Sequence, residues 1–285
     1  MRKFLNAKFI IGAFCMALVI VLAIFGNFIT PHGPQEQDLL ASLQPPRIDE
    51  TRYYFGTDHL GRDIFARMVS GARVSLLIAT CIVVISGVFG VLFGALSGYW
   101  GGVRDIILQK VVETFWAFPP ILLALAILAF FGQSLANIIL ALSIQRWIPY
   151  SRIARAQALV LRNREFVAAS QVMGGGTSWI ISRHILPNLL AAAIVIATFS
   201  MATAILAEAS LSFLGLGVPP EIPTWGGMLA EGRSYVVGAW WIAVFPGLGI
   251  FVTVLGLNLL GHRTEVDFMD LRLKASFGMF TQTIN

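Results

Sequence analysis

Glu208 is the one carboxylate set deep in a long apolar run, Ala204-Ile205-Leu206-Ala207-Glu208-Ala209-Ser210. Hydrocarbon does not tolerate a lone carboxylate, which must lose its charge or find partners. With Ser212 and Phe213 just beyond it, Glu208 can serve a translocation path, a gate or a proton relay. It can equally be a buried, hydrogen-bonded residue near the outer end of a helix. Lys110 and Glu113 stand one helical turn apart, close enough to pair, and such charges suit an ion-coupled carrier. Other chemistry is missing. A phosphate-cradling loop needs Gly-Lys followed by Ser or Thr, whereas Lys3, Lys8, Lys110 and Lys274 follow Arg, Ala, Gln and Leu. His32, His59, His184 and His262 are scattered without the spacing of a zinc site, and no Gly-x-Ser-x-Gly turn presents a nucleophile. No catalytic, cofactor-binding or metal-binding residue is therefore assigned, and an enzyme is not expected.

The elements that must carry these residues follow from composition. Of 285 residues 57% are hydrophobic and 12% charged, against roughly 25% charged in soluble domains, and mean hydropathy is +0.78. This is a protein of the lipid bilayer. Cys15 and Cys81 fall inside apolar runs and suggest no disulfide framework. A crossing helix needs about 20 apolar residues, and six runs qualify: 9–29, 74–98, 106–131, 134–150, 189–213 and 239–260. The first exceeds a signal-peptide core and is expected to stay as an anchor. Pro119-Pro120 should kink or break the third. An even number of spans leaves both termini on one side with fourteen Lys and Arg, Arg146, Arg152 and Arg155 among them, against six on the other. Positive charge collects in the cytoplasm, so the termini and residues 151–188 are expected there. The net charge of +5 is read as topology, not as nucleic-acid binding.

Ser86, Gly90, Gly94 and Gly98 recur every fourth residue of the second span and should let a neighbouring backbone approach closely. Outside the membrane, residues 31–72 carry four prolines and then a stretch, Asp58 to Arg73, that reads as a short surface helix capped by Asp58. On the inner side, residues 165–173 lack Gly and Pro and form a helix with Glu165, Ala168, Ala169 and Val172 on one face. Gly174-Gly175-Gly176 ends it, Thr177 or Ser178 caps a second helix over 179–186, and Pro187 closes that. His184 then sits near the orphan carbonyls of a helix C-terminus. Small alanines on an exposed face make this elbow a docking knob.

The elbow resembles the coupling loop of permease subunits in bacterial ABC importers, a family marked by Glu-Ala-Ala, three residues, Gly, nine residues, then Ile-x-Leu-Pro. Here Ala168-Ala169-Ser170, Gly174 and His184-Ile185-Leu186-Pro187 keep that spacing. The motif's Glu is Ala168 and its last Ala is Ser170, so Glu165, a turn earlier on the same face, is the acid expected to stand in. Residues 55–63 (Phe-Gly-Thr-Asp-His-Leu-Gly-Arg-Asp), 208–220 and 256–261 are similar to further stretches of the C-type subunit of dipeptide, oligopeptide and nickel importers. After Gly261 the likeness stops.

The resemblance implies an all-α, six-span bundle of the type I importer permease fold. Its parts are an anchor helix (1–30), an extracytoplasmic segment (31–72), a transmembrane domain (73–262) with the coupling loop at 151–188, and a cytoplasmic tail (263–285). It implies a bacterial inner-membrane location, a homologous B-type permease, two ATPases holding ATP and Mg, and an extracytoplasmic solute-binding protein. Coupling would run through Glu165, Ala168, Ala169, Ser170, Gly174, His184, Leu186 and Pro187.

Overall fold

The computed structural model describes residues 2–47 and 53–282, with side-chain surroundings for 7–26, 28–47 and 53–263. Ten α-helices follow in order among the described residues, and none is paired into a sheet: α1 (Arg2–Phe25), α2 (Ile64–Trp100), α3 (Gly102–Trp116), α4 (Pro120–Phe131), α5 (Leu135–Leu161), α6 (Glu165–Val172), α7 (Thr177–Ile180), α8 (Leu186–Phe213), α9 (Trp225–Gly232) and α10 (Trp241–Gln282). Four stretches, 7–25, 64–100, 177–213 and 241–263, are long and apolar enough to cross a membrane, and α3 with α4 makes a fifth as a pair bent by 79°. The break falls at the prolines, where Pro119 stands at the N-cap of α4 and Pro120 at its first turn, which needs no N–H. At 27 residues α5 is long enough to cross, but with Arg146, Arg152 and Arg155 on it α5 is less apolar than those four stretches.

The core is built on close helix pairs, α1 antiparallel to α10 and α2 parallel to α5. α2 and α5 meet along the small-residue strip, because a Cβ on Gly90, Gly94 or Gly98 would stand 2.3, 2.2 and 2.5 Å from the carbonyl oxygens of Trp147, Ser151 and Arg155. Ser86 continues the register by donating to Ser143 O at 3.3 Å. Each fourth residue of α2 thus faces each fourth residue of α5. The expectation of close backbone approach holds, and α5 is the neighbour. Elsewhere Ile78, Ile82, Leu128, Ile138 and Ile205 are almost fully enclosed and weld α2, α4, α5 and α8.

Several expected boundaries need correction. The short surface helix is not separate: α2 begins at Ile64 and runs unbroken to Trp100, and Asp63 caps it by accepting from Phe65 N at 2.8 Å. Asp58 caps nothing there. It is buried, accepts from Arg62 Nε at 2.6 Å and from Arg67 Nη1, and shares both arginines with Glu231 on α9. The fourth span does not end at 150 but continues to Leu161, since Arg152 and Arg155, read as loop cations, sit on its last turns. The helix over 179–186 is not closed by Pro187. The chain is helical from Thr177 to Phe213, with a π-turn at Ile181–Ile185 whose widened carbonyl spacing takes the proline ring. The N-cap there is Gly176, and neither Thr177 nor Ser178 caps it. The last helix runs past Gly261 to Gln282, and residues 283–285 of the expected tail lie outside the described residues.

The Asp58 cluster gives a measurable consequence. Burial alone would raise the Asp58 carboxyl, but the guanidinium of Arg67, then the backbone N–H and guanidinium of Arg62, outweigh it and hold it below the ordinary aspartate range. Because the folded pKa is the lower one, the stabilisation is complete above the unfolded aspartate pKa and fades as pH falls through the folded value. Thermal melting of the wild type should therefore drop in acid below about pH 4. Asp58→Asn should lose roughly 3–5 kcal/mol at neutral pH, since the two enclosed guanidiniums then share one carboxylate. Melting curves of both chains between neutral pH and pH 3 check this.

Candidate functional site

The elbow is built on three fully enclosed apolar side chains, Val167 of α6, Ile180 of α7 and Ile185 of the π-turn, packed with Ala95 of α2 and Ala154 and Ala158 of α5. Each contributes about 1.5–3 kcal/mol by leaving water. Ser170 shares the buried side of α6 with Val167, one turn away. Its hydroxyl donates to Phe166 O at 2.9 Å, and its one proton being spent, it accepts from His184 Nε2 at 3.0 Å. The His184 ring lies edge-on to Trp179 at 5.0 Å and tilted to Phe166 at 5.7 Å. His184 therefore clamps the two limbs of the elbow. It is not at a helix C-terminus as the sequence suggested, because the helix continues through it.

Of the eight expected coupling residues, Glu165, Ala168, Ala169 and Gly174 are exposed, and Val172 with them at 89%. They form one open face. Ser170 and His184 stand behind it as positioning residues, Leu186 is partly buried, and Pro187 is exposed on the first turn of α8. Gly174 adopts φ +84° with no neighbour within 4 Å of a built Cβ, so backbone conformation and not space selects glycine. Removing the His184 ring by His184→Ala should weaken the limb-to-limb contact by about 1 kcal/mol. Limited proteolysis should then cleave the elbow about fivefold faster, with the chain still present in the membrane.

Below the elbow a second network joins the helix ends. Arg155 of α5 donates through Nε and Nη2 to both oxygens of Asp105 on α3, at 2.7 and 2.6 Å, and Ser97 of α2 donates to the same carboxylate at 2.5 Å. Sequence reasoning missed this, since its bonded pairs are 8 and 50 residues apart.

The expected path residues part company. Glu208 is 2% exposed, and its Oε1 accepts from Ser212 Oγ at 2.8 Å and from Thr224 Oγ1 at 2.9 Å, tying α8 to the start of α9. Phe213 is half exposed, with the Arg233 guanidinium carbon 4.8 Å from its ring centroid. Lys110 and Glu113 do pair, at 2.8 Å, on an exposed face of α3.

Sequence reasoning overlooked Arg146, which it counted with the cytoplasmic-side cations although its fourth run, 134–150, contains it. Arg146 lies in mid-helix, about 17 Å along α5 from Leu135, facing Thr203, which is about 15 Å from the Phe213 end of α8. Its Nη1 donates to Thr203 Oγ1 at 2.7 Å and Nη2 to Thr203 O at 2.9 Å. An arginine at such depth costs about 2.5–3.5 kcal/mol on insertion scales. Beside it opens a cavity of about 470 Å³ walled by Trp116, Phe118 and Pro120 at the α3–α4 break, by Gln145, Arg146 and Pro149 of α5, and by Ala207 and Leu211 of α8. Gln145 Nε2 donates to Phe115 O and Phe118 O at 2.6 and 2.7 Å, satisfying carbonyls that the proline break released.

Residues 90–265 match the family described as binding-protein-dependent transport system inner membrane component, and residues 2–46 match the N-terminal transmembrane domain of oligopeptide transport permease C. A di/tripeptide transport system permease protein of Pseudomonas aeruginosa is 41% identical over 92% of this chain and 88% of its own length. An oligopeptide transport system permease protein of Bacillus subtilis is 36% identical over 94% and 87%. Among solved structures, the inward-facing MetNI methionine ABC transporter superposes with a TM-score of 0.56 at 18% identity, covering 69% of this chain and 94% of that one, a likeness of fold.

Proposed function

The chain belongs to the inner membrane components of binding-protein-dependent transport systems, as a C-type peptide permease of multi-pass type, and from that premise we propose that it is the non-catalytic half of an ATP-driven peptide importer. In this reading the chain crosses the membrane six times, with α5 as the crossing that composition alone undervalues. It lines one half of the path for di- or oligopeptides, and a homologous B-type permease lines the other. Two ATPases bind ATP and Mg on the cytoplasmic side, where both termini lie, and a solute-binding protein delivers peptide from outside.

The observation that carries this reading is the continuity of the elbow with the bundle. The exposed face of α6 is locked through Ser170 and His184 to a helix that runs without interruption from Thr177 to Phe213, past Thr203 and Glu208. A push on the elbow is delivered to the middle of the membrane with little loss, since close-packed helices shift between discrete arrangements and do not deform continuously. ATP binding would draw the two elbows together and favour the outward-open state, and hydrolysis would release it. Proteoliposomes with the whole complex, binding protein and labelled di-, tri- and pentaalanine test it. Uptake of at least one peptide that needs both ATP and the binding protein supports the reading; uptake driven by an ion gradient without ATP contradicts it.

A further inference from the structure

Arg146 is a cation in the membrane-spanning part of the bundle whose charge no carboxylate among the described residues neutralises. Its two bonds to Thr203 are to a neutral hydroxyl and a carbonyl, which leaves three of the five guanidinium N–H groups free to donate. The helices around it hold three carboxylates, and each is committed elsewhere: Asp105 to Arg155, Glu113 to Lys110, and Glu208 to Ser212 and Thr224. α2, α4 and α5 contain no acidic residue. Arg146 also lines the 470 Å³ cavity, whose volume falls within the roughly 300–1,000 Å³ typical of small-ligand sites.

The backbone of that cavity is open on two sides. Pro119-Pro120 breaks one wall, and Pro149, which has no N–H, cannot donate to the carbonyl of Gln145 in the other. Arg152 reinforces the positive field, its guanidinium carbon 3.1 Å from the ring centroid of Trp116, itself a wall residue. An apolar chamber with a fixed, forked donor and no resident anion is complementary to an organic anion with an apolar body, and a carboxylate matches the fork in bidentate fashion.

We propose that Arg146 receives the carboxylate of the peptide in transit, making this cavity a substrate station midway across the bundle. The inference rests on the peptide-import reading above and deepens it. Because the station is reached only during translocation, it acts on passage and not on the binding protein's choice of solute. Thr203 of α8 is a positioning residue that fixes the guanidinium beside the cavity.

The test uses the complete complex in proteoliposomes with its binding protein and the polyalanine panel, at matched chain abundance. Arg146→Gln should lower peptide uptake about tenfold or more, because a site built for a charged group is left without its donor. Hydrolysis of ATP stimulated by the loaded binding protein should persist. Arg146→Lys, which keeps the cation and loses the fork, should fall between wild type and Arg146→Gln, and Thr203→Val, which removes one hydrogen bond and keeps the guanidinium, should fall less than Arg146→Gln. Uptake by Arg146→Gln within twofold of wild type would overturn the inference. So would an equal fall in all three variants, which would mark Arg146 as a tie between helices. A wild-type complex that carries none of the peptides removes the peptide-import reading, and this inference with it, whereas a wild type that carries peptide beside an unimpaired Arg146→Gln removes only the inference.

Discussion

Gly174→Val is expected to insert normally into the membrane and to lose at least about tenfold in ATP-driven uptake. The expectation follows from φ +84° at that residue, a region that a β-branched side chain enters only under strain of about 1–3 kcal/mol. Relief of that strain would rotate the turn in which Gly174 N donates to Gln171 O at 3.0 Å and Gly175 N to Ser170 O at 2.9 Å, and so misaim the open face of α6. Asparagine tolerates left-handed backbone. Gly174→Asn should therefore retain most of the uptake. Parallel measurement of uptake and membrane abundance for both variants separates a defect in coupling from a defect in insertion, and wild-type uptake by the valine variant would count against the docking role.

Gly94→Leu is expected to fail earlier, at assembly. A Cβ at Gly94 meets Ser151 O at 2.2 Å and Ala154 Cβ at 2.9 Å, both on the α5 helix, and a backbone carbonyl cannot swing aside. The two helices must separate along the whole strip, which opens the enclosed core around Ile82, Ile138 and Tyr150. Overpacking of that kind costs about 1–3 kcal/mol for one or two methylenes and more for a full leucine. Chain abundance and monodispersity after detergent extraction should fall sharply. Gly87→Ala provides the contrast, because its Cβ would meet only the Tyr150 ring edge at 3.5 Å, an ordinary contact. It should be recovered at wild-type levels.

The small-residue strip was legible in the sequence because a four-residue period is a local signal, and the same is true of α6, whose length is bounded by Arg164 and Gly174. The elbow face was legible for the same reason. Boundaries failed where a strong local cue had a competitor. Asp58 looks like a cap, and only tertiary pairing with Arg62, Arg67 and Glu231 assigns it to a buried cluster and leaves the cap to Asp63. Pro187 looks like a stop, and a π-turn that no composition rule anticipates carries the helix through it. Arg146 was counted with the cytoplasmic-side cations because it stands four residues from the inner end of the run 134–150, and only the continuation of α5 to Leu161 puts it in mid-helix, held by Thr203. The Ser170–His184 pair spans fourteen residues across a turn, so spacing suggested a coupling motif but not which members face out and which lock the limbs.

The most direct test of the elbow as the seat of a separate ATPase is site-specific cross-linking from its exposed face. In a chain with Cys15 and Cys81 replaced by alanine, Ala169→Cys carries one reactive thiol beside Glu165 and Val172. The account predicts a cross-link from that thiol to a co-purifying ATPase subunit, with a yield that changes when ATP binds, and no reaction with a membrane-impermeant maleimide added outside intact cells. Rapid labelling from outside, with no ATPase adduct under any nucleotide condition, would contradict it.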